Sequence, residues 1–370
     1  MAIDKGMGIK LPSNTRTKVN VPGQQGQIEQ IQGSLQQQQN QQPVEITQTE
    51  DGGAEIDFDP GAMAPQGGEQ HDDNLAEFLE DDILNEIGSN IVEEYTENKS
   101  SRQDWEDSYT KGLDLLGFKY ENRSEPFQGA SGATHPVLAE AVTQFQSLAY
   151  KELLPASGPV RTQVIGKVDD ARELQAERVK EYMNYQLMVN MKEYEPEFDQ
   201  MLFNLPLAGS TFKKVYYDSI LGRCVSKFIP AEELVVPYNA TSLEDADNIT
   251  HSIRMTGNEL LKYQVNGFYR DVDLIPMTDD PSAIEEKKNR IMGVNTDMSE
   301  VHTLLECHCE LDIEGFEDLT PEGEATGIKL PYIVTVDDGT GTVLSIRRNF
   351  DAQDPLRVRR DYFVHFKFLP

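Results

Sequence analysis

The sequence predicts an α+β fold: a helical N-terminal part followed by a mostly antiparallel β region, preceded by a disordered N-terminal head. Three observations carry this prediction. From Leu75 to Leu205, apolar residues recur every three or four positions, the spacing of amphipathic helices. Beyond Gly209 the text changes to short β-favouring runs separated by Gly- and Asp-rich turns, the pattern of hairpins. Before Asp73 neither period is present. The chain therefore divides into a head at residues 1–73, a helical part at 74–208 and a β-rich part at 209–370.

The head holds a Gln-rich run from Gln24 to Gln42 and a Gly-, Pro- and acid-rich run from Asp51 to Gly68. Such compositions bury too little apolar surface to offset the entropy of ordering. Order is expected to begin near Leu75, where Leu75, Phe78, Leu79, Ile83, Ile87, Ile91 and Tyr95 form one helical stripe. Trp105, Tyr109, Leu113 and Leu116 define a second helix. After a loop from Pro126 to Ala133, Thr134 and Pro136 open a helix with Leu138, Val142, Phe145 and Leu148 on one face, stopped by Pro155. Asp170 and Glu173 have capping-box spacing at the start of a long helix, in which Val179, Met183, Leu187 and Met191 follow four-residue steps. Pro196 interrupts this run, and a further turn or two with Phe198, Met201, Leu202 and Leu205 is expected to end before Pro206.

In the β-rich part, Phe212 to Tyr217 and Cys224 to Ile229 read as a hairpin, and Ile249 to Met255 as a further strand. Thr256 and Glu259 form a capping-box pattern for a short helix that Gly267 can close in a left-handed conformation. Asp280-Pro281 is a candidate helix start. Four more strands are expected: His302 to Ile313, Pro331 to Val336 and Thr342 to Arg347 around a turn at 337–341, and Tyr362 to Leu369. An apolar strand running directly into Pro370 reads as the front part of a longer protein.

Composition narrows the function. Asp and Glu total 64 against 33 Lys and Arg, a formal charge of -31. Binding nucleic acid by counterion release needs clustered cations, so binding of DNA by the surface as a whole is not expected, whereas DNA that slides without sticking is compatible with repulsion. Three cysteines, Cys224, Cys307 and Cys309, are too few and too odd in number for a disulfide framework, which points to a reducing compartment. The first residues lack the apolar run of a signal peptide, and no charge-free stretch reaches membrane-spanning length.

Chemical motifs are sparse. No glycine loop leads into Lys and Ser or Thr at P-loop spacing, and no Gly-x-Ser-x-Gly elbow is present. Acid pairs such as Asp169-Asp170 and Asp337-Asp338 point in divergent directions and have simpler roles as caps and turn formers. His302, Cys307, His308 and Cys309 are the best metal-ligating candidates. On a strand, however, both cysteines share a face with Leu305 and Leu311, while His302 and His308 lie roughly 20 Å apart on the other face. No catalytic, cofactor-binding or metal-binding residue is assigned, and no cofactor is expected. The local concentration of positive charge at Arg347, Arg348, Arg357, Arg359 and Arg360 is read either as a solvated face or as a seam that meets carboxylates of a neighbouring subunit.

Three stretches carry a family resemblance. Pro126-Phe127-Gln128-Gly129-Ala130-Ser131-Gly132-Ala133-Thr134-His135-Pro136, the passage Glu152-Leu153-Leu154-Pro155 with Gly158-Pro159-Val160-Arg161, and Asn204-Leu205-Pro206-Leu207-Ala208-Gly209-Ser210 leading into Lys213-Lys214-Val215-Tyr216-Tyr217-Asp218 resemble portal proteins of short-tailed bacteriophages. The resemblance covers about Leu75 to Pro370 and leaves out the head. It implies a head–tail connector: a ring, usually of twelve subunits, at one capsid vertex, through which double-stranded DNA is packaged and ejected without sequence-specific binding. It further implies no enzyme activity, partnership with terminase, capsid or scaffold and tail adaptor proteins, assembly in the host cytoplasm into the virion, and a wing-like body whose stem and clip lie beyond residue 370. Two alternatives stand beside it: another virion structural or scaffold protein, and a metal-dependent hydrolase.

Overall fold

The computed structural model describes residues 45–48, 54–57, 71–116, 127–129, 135–218, 221–276, 282–292, 301–319 and 325–368. The chain separates into two compact units, Met1–Gln70 and His71–Pro370. In the first, strands β1 (Glu45–Gln48) and β2 (Ala54–Asp57) pair antiparallel, with Glu45 opposite Asp57. This pair lies inside the span that the sequence leaves without regular elements.

The second unit begins a few residues before the expected Leu75, because polar side chains there bond far along the chain. His71 Nε2 lies 3.0 Å from the Phe350 carbonyl. The Asn74 amide donates to the Leu344 carbonyl at 3.1 Å, and its oxygen accepts from the Ile346 N–H at 2.9 Å. Those bonds fix Asn74 as the cap of a 3-10 turn, Leu75–Glu77. The single helix expected over Leu75 to Tyr95 is therefore broken, and α1 runs from Asp81 to Ser101. Only Arg102 separates it from α2 (Gln103–Leu116). The Arg102 guanidinium donates to the carbonyls of Ala231, Glu232 and Leu234, which ties the bend to the β region.

Helix α3 (Val137–Leu153) takes Pro136 as its N-cap, and Thr134 with most of the loop before it lies outside the described residues. Helix α4 (Asp170–Tyr185) is capped by Asp169, whose carboxylate accepts from the Ala171 N–H at 2.7 Å. Asp170, the expected cap, is already helical. A π-helical turn, Gln186–Asn190, ends this run before Pro196 is reached. Pro196 sits in the first turn of α5 (Tyr194–Ala208), where a missing N–H costs no bond. Contrary to the expected stop, α5 continues through Pro206 to Gly209, whose φ of 79° makes the left-handed cap. Proline in a last turn removes the partner of one carbonyl only, a cost the buried Met201, Leu202 and Leu205 offset.

Two antiparallel sheets follow. The smaller has the order β10-β3-β4, built from β3 (Ser210–Asp218), β4 (Arg223–Ile229) and β10 (Phe363–Lys367). The larger has the order β5-β6-β7-β8-β9, built from β5 (Leu234–Val235), β6 (Asn248–Thr256), β7 (Val301–Leu311), β8 (Leu330–Asp337) and β9 (Val343–Arg348). The short β5 has no signal of its own in the sequence. Helix α6 (Gly257–Val265) has the expected capping box between Thr256 and Glu259, and Gly267 has φ 68°. Helix α7 spans Ala283–Met292, and Asp280-Pro281 lies outside the described residues.

The body is layered. Leu84 and Ile91 of α1 pack with Cys307, Cys309, Tyr332 and Val334 on one face of the large sheet. Its other face, through Ile249, meets Phe212, Ile229 and Phe363 of the small sheet. The outer face of the small sheet, through Phe228 and Phe366, is covered by Phe145 of α3 and by Phe198, Met201 and Leu202 of α5. An antiparallel sheet usually keeps one face wet; here both faces of the large sheet are covered, so its polar residues are forced inside.

Helix α1 approaches the β8–β9 turn closely at Gly88. A Cβ there would stand 2.0 Å from the Gly341 carbonyl oxygen and 3.2 Å from Val343 Cγ2. Gly88→Ala is therefore expected to push α1 off the sheet and lower stability by about 1–3 kcal/mol, although alanine favours a helix. Thermal unfolding measures this, and an unchanged or raised midpoint would contradict the contact.

Candidate functional site

The arginine cluster is distributed over several internal contacts. Arg347 donates to the Asp72 carbonyl at 2.7 Å and the Phe268 carbonyl at 3.2 Å, with its guanidinium 4.3 Å from the Phe268 ring centroid. Arg348 donates to the His71 carbonyl at 3.3 Å. Arg357 pairs with Asp318 at 2.9 Å and Arg360 with Asp351 at 3.4 Å. Arg359 donates to the Leu243 carbonyl at 2.8 Å and the Ala246 carbonyl at 3.0 Å. Arg347 and Arg348 hold loops to β9, while Arg357, Arg359 and Arg360 hold loop to loop, and an intersubunit seam would have to recruit them from these bonds.

The thiols of Cys307 and Cys309 are buried with Tyr332 and Val334, and the hydrogen bond with Cys307, together with burial, holds Cys309 well above the usual thiol range. A thiol so raised is a poor nucleophile and a poor ligand. Among the described residues, no group of three or more His, Cys, Asp and Glu side chains is placed to hold a metal ion.

The opposite face of β7 carries an ionic cluster between the two sheets. Lys214 of β3 donates to both carboxylate oxygens of Glu306, at 2.7 Å to Oε2, and His308 Nε2 lies 2.9 Å from Oε1. Side-chain exposure is 12% for Lys214 and 16% for Glu306. His251, the cross-strand partner of Glu306, is also buried. Phe363 closes the cluster, with its ring centroid 5.6 Å from the Lys214 ammonium and 5.1 Å from the His308 ring. Against the opposing effect of burial, the Lys214 charge and the His308 hydrogen bond hold the Glu306 carboxyl well below the usual carboxylate range. Burial pushes His251 down to about 3 and lowers His308. A cationic ammonium thus occupies the place where a metal would sit, and both carboxylate oxygens are engaged. Chemically the cluster is a clamp between sheets. Beside it lies a cleft of about 370 Å³ lined by Glu244, His308, Arg359, Arg360 and Tyr362 among others.

On the other face of β3, Lys213 is buried, its ammonium 4.3 Å from the Tyr194 ring centroid and 5.0 Å from that of Phe198. Burial pushes its pKa down to about 8, and the aromatic faces of α5 compensate part of the lost hydration.

One apolar surface has no partner among the described residues. Helix α4 has no buried residue, yet Leu174 is 61% exposed, Val179 49%, Tyr182 62% and Met183 43%. The helix is tethered through its back: the Thr162 hydroxyl donates to the Ala176 carbonyl, and Asn184 exchanges two bonds with the Val160 backbone. Isolated apolar side chains on a surface are ordinary, whereas these four lie within about two and a half turns and spread over half the circumference of the helix. Its period was visible in the sequence at Val179 and Met183; its exposure was not. The sequence signal for the ionic cluster is a pair of charged residues, Lys214 and Glu306, in the middle of two strands rich in large apolar residues.

No protein-family model and no curated protein matches the chain. Among the described residues, no helix is long and apolar enough to cross a membrane.

Proposed function

We propose that the chain is a non-catalytic, self-assembling structural subunit, a portal-type head–tail connector that forms a ring at one capsid vertex. The observation that carries this is α4, a helix whose exposed Leu174, Val179, Tyr182 and Met183 find no cover among the described residues. Such a surface is stable in water when a partner removes it from solvent, at about 25 cal/mol per Å² buried. The residues that resemble portal proteins flank it: Pro159 to Arg161 precede α4, and the Asn204 to Asp218 junction is the turn from α5 through Gly209 into β3. The charge of -31 suits a conduit that must let double-stranded DNA slide. In this reading the ring takes terminase, capsid or scaffold and tail adaptor proteins as partners and works in the virion after assembly in the host cytoplasm.

Electron microscopy of the purified chain, with sedimentation velocity, tests the reading. Closed rings with a central hole are expected. A monomer at high concentration, open filaments or shells, or turnover of a substrate would overturn it.

A further inference from the structure

We propose that the open edge of β10 takes the acidic segment at residues 54–59 of a second copy as a fourth strand of the small sheet. This rests on the reading of the chain as a self-assembling subunit and supplies one contact between copies. The Val215 N–H donates to the Tyr362 carbonyl at 2.8 Å, and the Phe368 N–H to the Gly209 carbonyl at 3.0 Å. Bonds to β3 therefore come from the even positions of β10, and in an antiparallel pair the odd positions face away. The backbone N–H and C=O groups of Phe363, His365 and Lys367 have no hydrogen-bond partner among the described residues.

The other sheet edges are engaged from within the chain. Asn74 bonds to the outward Leu344 carbonyl and Ile346 N–H of β9. The Glu197 carboxylate accepts from the outward Phe228 N–H of β4 at 2.8 Å. Strand β5 is only two residues long, and its Leu234 carbonyl accepts from Arg102. An uncovered edge is a template for a further strand, and strand addition is a recurrent mode of peptide recognition. Room for one exists, since the cleft of about 370 Å³ is lined by Phe363, Val364, His365 and Lys367 of β10 and by Ser242 and Glu244 of the loop before β6.

Side-chain alternation selects the occupant. Val364, Phe366 and Phe368 form one row, with Val364 48% and Phe368 38% exposed, while His365 and Lys367 lie in the other. The charged lining of the cleft is three cations, Arg359, Arg360 and Lys367, against two carboxylates, Glu244 and Asp361. Arg359 is engaged by the carbonyls of Leu243 and Ala246 and Arg360 by Asp351, which leaves Lys367, exposed and without an ion-pair partner among the described residues. A strand with one apolar row and one acidic row matches this edge. Ala54-Glu55-Ile56-Asp57-Phe58-Asp59 alternates in that way over six positions and holds no cation. An antiparallel addition that sets Ile56 beside Phe366 also sets Phe58 beside Val364 and Glu55 beside Lys367. Within one chain, Ala54–Asp57 pairs along one edge with Glu45–Gln48, and β10 pairs with β3 alone among the described strands, so the segment comes from another copy. Donor strand and acceptor edge are different surfaces, and such a contact repeats from copy to copy and closes into a ring when the rotation permits.

Variants of the full chain and a labelled peptide of residues 51–61 test this. Ile56→Pro breaks the donor strand. Lys367→Pro removes an outward N–H and the ammonium without taking a bond from β3, a place where edge strands tolerate proline. Each is expected to raise the concentration for half-assembly about tenfold or more in sedimentation velocity. The peptide is expected to bind the Ile56→Pro chain, whose edge is vacant, about tenfold or more tighter than the Lys367→Pro chain, and a peptide of the same composition with the alternation scrambled is expected not to bind. Lys367→Glu leaves the backbone untouched and is expected to weaken the peptide through charge alone, which separates loss of the edge from loss of the fold. Wild-type rings with the Ile56→Pro chain assembling normally, with the peptide binding neither chain, or with the scrambled peptide binding equally well would overturn this contact and leave the ring reading standing. A wild-type chain that stays monomeric would overturn both.

Discussion

Lys214→Met is expected to lower stability by about 3–5 kcal/mol, because it leaves the Glu306 carboxylate between two sheets without its main counter-charge. Methionine keeps much of the aliphatic stem but removes the ammonium's contacts with the Phe363 and Tyr216 rings, so the loss reports the ion pair together with those contacts. Of the acceptor contacts at Glu306, only the one to His308 would remain. The double variant Lys214→Met with Glu306→Leu is expected to recover most of the loss, since an apolar pair of similar volume avoids burying any charge. Urea unfolding followed at Trp105, the single tryptophan of the chain, measures both variants. A Lys214→Met midpoint equal to wild type would mean that the clamp contributes nothing; a double variant as weak as the single would place the loss in packing.

The sequence made the architecture legible wherever a local rule acts alone. The Thr256 and Glu259 capping box, the left-handed Gly267, and the β8–β9 turn at Asp337 and Gly341 are decided by neighbours a few residues apart, and each occurs in the structure. What escaped was set by distant contacts. The stripe from Leu75 to Tyr95 breaks because Asn74 bonds to Leu344 and Ile346, some 270 positions away. The continuation of α5 past Pro206 depends on the core beneath it. On β7, alternation placed Cys307 and Cys309 with Leu305, as found, but it could not reveal that the opposite face is buried as well. That second burial turns Glu306 and His308 from surface residues into a clamp. Likewise, the periodicity of α4 identifies a helix and is silent about whether anything covers it. Clustering of five arginines in sequence suggested a shared surface; in space they serve separate loops, because consecutive strand and loop positions point in different directions.

Acid is expected to weaken the fold from about pH 6.5 downward, and His251 sets where this begins. Its imidazole is buried beneath Phe363, and among the described residues its Nδ1 has no hydrogen-bond partner. The charges facing it are Lys214 and Lys227, which disfavour its protonation along with His308, and Glu306, which favours it. Burial is the largest effect and lowers the pKa from 6.5 to about 3. Below pH 6.5 the unfolded chain therefore binds a proton that the folded chain refuses, so stability is fully present above that pH and falls as the pH drops. The slope from this one group approaches about 1.4 kcal/mol per pH unit down to the folded pKa. The lowered His308 acts in the same direction, and the depressed Glu306 carboxyl adds its own loss below its ordinary value of 4.5. His251→Leu is expected to flatten the profile between about pH 6 and 4 by up to that slope while leaving the steeper fall at lower pH. Urea midpoints measured across this range decide it: a wild-type profile level from pH 7 to 4, or a His251→Leu profile parallel to wild type, would mean that the imidazole takes its proton without opening the space between the sheets.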